Sequence, residues 1–117
     1  MKKSGHVAVI RFPQADMRIG KPRPVLLVTR VPGPYDDWLV CMISTQLDQA
    51  IPDFDEIIGE NEGDFHQAGV KATSVVRIAR LAVVSGEMLV GAIGEISPDR
   101  LERIRRNLSL WISGART

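Results

Sequence analysis

Several absences narrow the reading before any residue is singled out. A single cysteine in 117 residues excludes an intrachain disulfide. With only two histidines, scattered at His6 and His66, the chain has no metal-ligand spacing, so neither a metal nor a cofactor is expected. Aromatic residues make up only 5% of the sequence. No apolar run approaches the roughly 18 residues that span a bilayer. The stretch Val7 to Ile10 is too short for the apolar part of a signal peptide and is interrupted by Arg11. No membrane association is expected, and by elimination the location is cytoplasmic. Charge of one sign is also lacking. Fifteen Lys and Arg against fourteen Asp and Glu leave a net charge of +1, which excludes a strongly basic nucleic-acid coat protein.

What is present suits one compact domain spanning 1–117, whose 44% hydrophobic content can form a core without staples. Cys41 lies in the run Leu39-Val40-Cys41-Met42-Ile43, where a thiol behaves as a small buried hydrophobe. Charge is segregated along the chain. Asp48, Asp53, Asp55, Glu56, Glu60, Glu62 and Asp64 crowd the middle, while Lys21, Arg23, Arg30, Arg77, Arg80 and the Arg100 to Arg106 group flank it. This pattern predicts a basic face on a nearly neutral molecule.

Patterning predicts strands over Val7 to Phe12, Pro24 to Val31, Asp36 to Thr45, Thr73 to Val84 and Met88 to Ile96. A polar loop from Gln14 to Pro22 and the turn Pro32-Gly33-Pro34 punctuate them. Gln46 to Lys71 reads as largely mobile, with one short strand at Phe54 to Ile58, and Ser85-Gly86 reads as a hairpin turn. Ser97-Pro98-Asp99 supplies an N-cap, a first-turn proline and an acid, so a helix starts there. Its apolar stripe is Leu101, Ile104, Leu108, Trp111 and Ile112, and Gly114 ends it. Short strands with Gly and Pro at their corners, plus one amphipathic helix, argue for a mainly β small barrel with the C-terminal helix packed on it.

The tetrapeptide Lys21-Pro22-Arg23-Pro24 holds two cations between prolines, which fix their positions at low entropic cost. A planar guanidinium so held matches phosphate oxygens and stabilises charge developing on phosphorus. A solubilising loop ahead of a strand explains the same residues more plainly. Ser44 and Thr45 end the third strand and point to opposite faces. Arg77 and Arg80, three apart, are expected on opposite faces, with Arg77 either a phosphate contact or half of a surface ion pair. Trp38 reads as core or interface before it reads as a base-stacking platform, Phe12 has the same stacking chemistry, and Trp111 reads as packing.

These pieces occur in a recognisable order. A strand ending Phe12-Pro13, a polar loop, Arg23-Pro24 before an apolar strand, Ile43-Ser44-Thr45-Gln46, Gly69-Val70-Lys71 and Ser74-Val75-Val76-Arg77 together resemble the MazF/PemK toxins. The resemblance implies an SH3-like barrel, a homodimer and metal-independent cleavage of single-stranded RNA by 2′-hydroxyl attack. It also implies a cognate antitoxin that covers the RNA groove. Carried over residue by residue, it makes Arg23 and Ser44 the catalytic pair, with Thr45 as the one-residue register alternative. Lys21, Arg18, Gln46 and Arg77 become RNA-binding candidates, and neither histidine is placed in the groove. Two departures stand out. Asp16 is the only acid in Ala15 to Gly20, where many members carry an acid-bearing loop, and Ala82 to Ser85 replace an Arg-Thr-hydrophobe-Asp segment. The Ala82 and Ser85 substitutions favour the alternative of a non-catalytic module that binds RNA, an antitoxin or gyrase on the same fold.

Overall fold

The computed structural model describes residues 2–13 and 19–115, the side chains of 12–20 excepted. Six strands run β1 (His6–Pro13), β2 (Ile19–Arg30), β3 (Asp37–Ser44), β4 (Glu56–Ile58), β5 (Ser74–Ser85) and β6 (Leu89–Glu95). A four-residue helix α1 (Phe65–Ala68) precedes β5, and α2 (Pro98–Ser113) closes the chain. The sheet is antiparallel throughout, in the order β4-β5-β3-β2-β1-β6. The expected barrel is therefore a six-stranded sheet whose outer strands, β4 and β6, do not pair with each other.

Side chains alternate across this sheet into two buried layers. Val7, Leu26, Val28, Cys41, Ile43, Val76 and Ile78 face one side, where α2 lays Ile104 and Leu108 over them. Ala8, Ile10, Val25, Leu27, Trp38, Val40 and Val84 form the other layer. Because both faces are covered, the strands read as nearly continuous apolar runs rather than alternating ones. Each fully buried aliphatic side chain contributes about 1.5–3 kcal/mol. Burial also pushes the Cys41 thiol up to about 12, so this cysteine is an inert part of the core.

Two expectations about irregular segments are overturned. Ile19 to Pro22 is strand rather than loop, because Pro22 pairs with Arg11 and Ile19 with Pro13 across the β1–β2 ladder. Two prolines fit inside a strand here because β3 joins β2 only from Val25 onward, leaving that edge of residues 22–24 without a neighbour that needs their N–H groups. The acidic middle is not a mobile tract either. Phe54, Ile58, Phe65 and Ala68 are buried in the helix-side core, and Leu47–Gln49 forms a 3-10 turn. Between β5 and β6 the expected hairpin turn is a 3-10 turn, Gly86–Met88, capped by Ser85.

The helix is built as its sequence predicts at both ends. Ser97 Oγ accepts from Arg100 N at 3.2 Å, and Gly114 takes the left-handed conformation at φ 79°. Its last turn is less buried than the stripe implies. Trp111 sets its ring edge-on against Phe54 at 6.1 Å yet stays 43% exposed, and Ile112 is 66% exposed. An apolar groove lined by Val28, Leu39, Leu108 and Ile112 lies beside that end of the helix.

Candidate functional site

The fate of the arginines decides where a basic surface lies. Arg100 is buried, with Nε 2.8 Å and Nη2 2.9 Å from the two oxygens of Asp64. Its Nη1 donates to Glu56 Oε1 and to the Ile57 carbonyl. Burial pulls this guanidinium down, but the surrounding carboxylates outweigh it and hold it above its ordinary value. The Arg100 hydrogen bonds in turn hold the Asp64 carboxyl down at about 2, against the opposing effect of burial. Arg103 pairs with Glu56, Arg106 with Glu102, and Arg105 donates to the Val28 carbonyl. The helix cations are thus tied to the acidic segment, to the sheet or, for Arg106, to the helix's own Glu102, and the expectation of a basic face that includes them is corrected. Sequence reasoning missed Arg100 as a structural centre. Its signal was an arginine two residues past the helix-opening proline, facing a cluster of acids.

A different end of the molecule carries cations without partners among the described residues. The β2–β3 ladder pairs Val25 with Met42, Leu26 with Cys41 and Leu27 with Val40. That ladder ends at Val25–Met42, and Arg23 and Ser44 each lie two residues beyond it on their own strands. Both have the parity of Val25 and Met42, so both belong to the sheet face opposite α2. Arg23 is exposed, and so is Lys21, which has the same parity. Ser44 Oγ accepts a hydrogen bond from Gln46 N at 3.0 Å. That leaves the hydroxyl proton free to be donated and pins Gln46 beside it at the strand's end.

Thr45, the register alternative, has the other parity. It lines a cleft of about 380 Å³ with Pro22, Pro24, Val70, Lys71 and Ile93, away from the face of Arg23 and Ser44. Arg18 and Asp16 lie outside the described residues, as does the side chain of Phe12. Trp38 is core, its indole N–H donating to Asp36 Oδ1 at 2.8 Å. That bond, with help from Lys2, holds the Asp36 carboxyl below the usual range. His6 opens β1, where its Nδ1 accepts from Lys3 N, and His66 lies exposed on α1.

Arg77 is paired with Met42, two residues from Ser44, and shares the face of Arg23. Its Nη1 donates to Gln49 Oε1 at 2.8 Å, while its Nε is buried without an acceptor among the described residues. Arg80 was expected on the opposite face, yet it lines the same cavity as Arg77. A bulge is the reason. Met42 pairs with Arg77 and the next residue back, Cys41, pairs with Leu81, so Ile78, Ala79 and Arg80 are looped out of the ladder and strict alternation is lost.

These features define a class, small mainly β domains with a helix-backed antiparallel sheet. The particular family follows from sequence and fold. The family described as PemK-like, MazF-like toxin of type II toxin-antitoxin system matches residues 3–112, and the chain belongs to it.

Solved structures share the fold at low identity. An endoribonuclease in complex with its cognate antitoxin from a mycobacterial species superposes with a TM-score of 0.69 at 14% identity, covering 97% of this chain and 96% of that one. MazF in a MazE–MazF complex from Deinococcus radiodurans gives 0.68 at 18%, covering 95% and 94%. The Mycobacterium tuberculosis toxin MazF-mt6 gives 0.63 at 18%, covering 92% and 96%. No curated protein sequence matches the chain. No helix among the described residues is long and apolar enough to cross a membrane.

Proposed function

We propose that this chain is a toxin endoribonuclease that cuts single-stranded RNA without a metal, works as a homodimer on an SH3-like scaffold in the cytoplasm, and is neutralised by a cognate antitoxin. The 2′ oxygen bonds to the adjacent phosphorus, the bond from phosphorus to the 5′ oxygen breaks, the 2′ oxygen loses its proton and the 5′ oxygen gains one. The products are a 2′,3′-cyclic phosphate and a free 5′-hydroxyl. Arg23 neutralises the charge that builds on the phosphorane, and Ser44 donates its hydroxyl proton to a phosphate oxygen. Lys21, Gln46, Arg77 and Arg18 hold flanking nucleotides.

The observation that supports this reading is that Arg23 and Ser44 share a sheet face just past the end of the β2–β3 ladder, with the serine oxygen accepting from Gln46 N and its proton available. The named relatives support the partner assignment, since two were solved with antitoxins. The test uses labelled single-stranded RNA with purified protein and excess chelator. Cyclic-phosphate ends that vanish in Arg23→Ala and Ser44→Ala, with the fold retained, support the enzyme. Intact RNA at all protein concentrations sinks it.

A second reading, a non-cleaving module that only binds RNA, an antitoxin or gyrase, is favoured by what occupies residues 82–85. Ala82 packs on the second core layer and Ser85 caps a turn, so neither offers a charged group to a substrate. Stable RNA binding with no cleavage would select it.

A further inference from the structure

The three-residue bulge in β5 gathers groups that a regular strand would separate. A cavity of about 200 Å³ opens there, lined by Ile51, Asp55, Arg77, Ala79 and Arg80. At about 30 Å³ per water that is room for several waters, and so for a phosphate group. We propose that it is a second phosphate site, in which Arg77 and Arg80 together grip the RNA phosphodiester next to the one held at Arg23 and Ser44. The proposal rests on the RNA-cleaving reading above and adds Arg80 and a position along the strand.

Four observations converge on it. The floor of the cavity is set by Asp55, whose Oδ1 accepts from Ile78 N at 2.9 Å and whose Oδ2 accepts from Ile51 N at 2.9 Å. This carboxylate, the only acid lining the cavity, is therefore occupied by two backbone amides and braces the bulge. Arg77 is half-satisfied, with Nη1 tied to Gln49 and Nε buried without an acceptor. A buried donor lacking an acceptor is costly to leave, and the Nε–Nη2 edge of a guanidinium is the fork that takes two phosphate oxygens at once. Nε is shielded from solvent as it stands, so the Arg77 side chain has to shift for an anion to reach it. Arg80 itself has no hydrogen-bond or ion-pair partner among the described residues, so a second guanidinium stands ready in the same cavity.

Position selects RNA over a free anion. Arg77 lies across from Met42, which is two residues along β3 from Ser44 and on the same face. Two strand residues are about 7 Å, a step that one nucleotide of an extended strand bridges.

The test is equilibrium binding of a non-cleavable, fully 2′-O-methylated oligonucleotide across a salt series, for wild type, Arg80→Ala, Arg77→Ala and Arg106→Ala. Each cation withdrawn from a phosphate should flatten the log–log salt slope by about 0.7. The expected result is that flattening in Arg80→Ala and Arg77→Ala, and an unchanged slope in Arg106→Ala, which loses the same charge from the helix. Arg80 is exposed, so its variant stays informative even if Arg77→Ala folds poorly. Binding of this oligonucleotide by Arg80→Ala with wild-type slope, with cleavage of unmodified RNA retained, overturns this inference and leaves the enzyme reading standing. So does an acidic peptide whose binding alone depends on Arg80. Failure of the wild-type protein to bind any RNA overturns both.

Discussion

At the scale of single residues, two arginines illustrate opposite uses of the same side chain. Arg23 is exposed, flanked by prolines in a strand edge, and without a partner among the described residues. Arg100 is buried in a cage of Asp64, Glu56, Glu62 and the Ile57 carbonyl. For Arg23, charge alone is not enough, because a lysine keeps the charge and loses the planar fork. Arg23→Lys should therefore lose most of the cleavage rate, and Arg23→Ala at least about 100-fold, read by single-turnover assays at saturating RNA. For Arg100 the outcome is structural. Arg100→Ala leaves acids buried without their counter-charge and should cost about 3–5 kcal/mol in chemical denaturation. The pH dependence follows from Asp64. Its folded pKa of about 2 lies below its ordinary 3.8, so the native state binds this proton less readily than the unfolded chain. The stabilisation is complete above about pH 4 and is lost as pH falls from there toward 2, on the order of 2 kcal/mol in all. Acid titration of stability should show that slope in the wild type and lack it in Asp64→Asn.

Elements were legible in the sequence where local chemistry decides them. Ser97-Pro98-Asp99 and Gly114 bound α2 as read, since caps and left-handed glycines act within one turn. The apolar strands were legible because both of their faces are buried. What escaped was set by distant groups. The bulge that turns Arg80 into the cavity of Arg77 depends on Asp55 bonding Ile78 N, a contact across 23 positions that no local pattern announces. The packing of the acidic middle depends on Arg100, 36 positions beyond Asp64. The candidate pair Arg23 and Ser44 came from motif order, and the face the two share follows from strand alternation beyond the end of the β2–β3 ladder. Two substitutions probe this level. Ser97→Ala should cost about 1 kcal/mol of thermal stability through removal of the cap. Gly94→Ala should cost more, because a Cβ there overlaps the backbone of Ala68, where α1 crosses β6. A Gly94→Ala protein as stable as wild type would mean that α1 is free to shift from β6.

For the molecule as a whole, a net charge of +1 hides a division of labour between the cations of the helix and those of the sheet. The helix end holds Arg100, Arg103, Arg105 and Arg106, each already donating to a carboxylate or a carbonyl. The sheet holds Lys21, Arg23 and Arg80, exposed and without partners among the described residues. A cation already neutralised by a nearby carboxylate releases little when a phosphate approaches, whereas an unpaired one contributes its full attraction. Removing two charges should therefore have very different effects on the helix and on the sheet. Arg103→Gln with Arg106→Gln should leave the affinity for single-stranded RNA within about two-fold and its salt slope unchanged. Lys21→Gln with Arg80→Gln should weaken binding and flatten the slope by about 1.4, at roughly 0.7 for each phosphate no longer neutralised. Both double variants carry the same net charge, so anisotropy titrations over one salt series separate a localised RNA face from a response to overall charge. Equal losses in the two proteins would place the RNA on no particular face and remove the sheet end from consideration as its site.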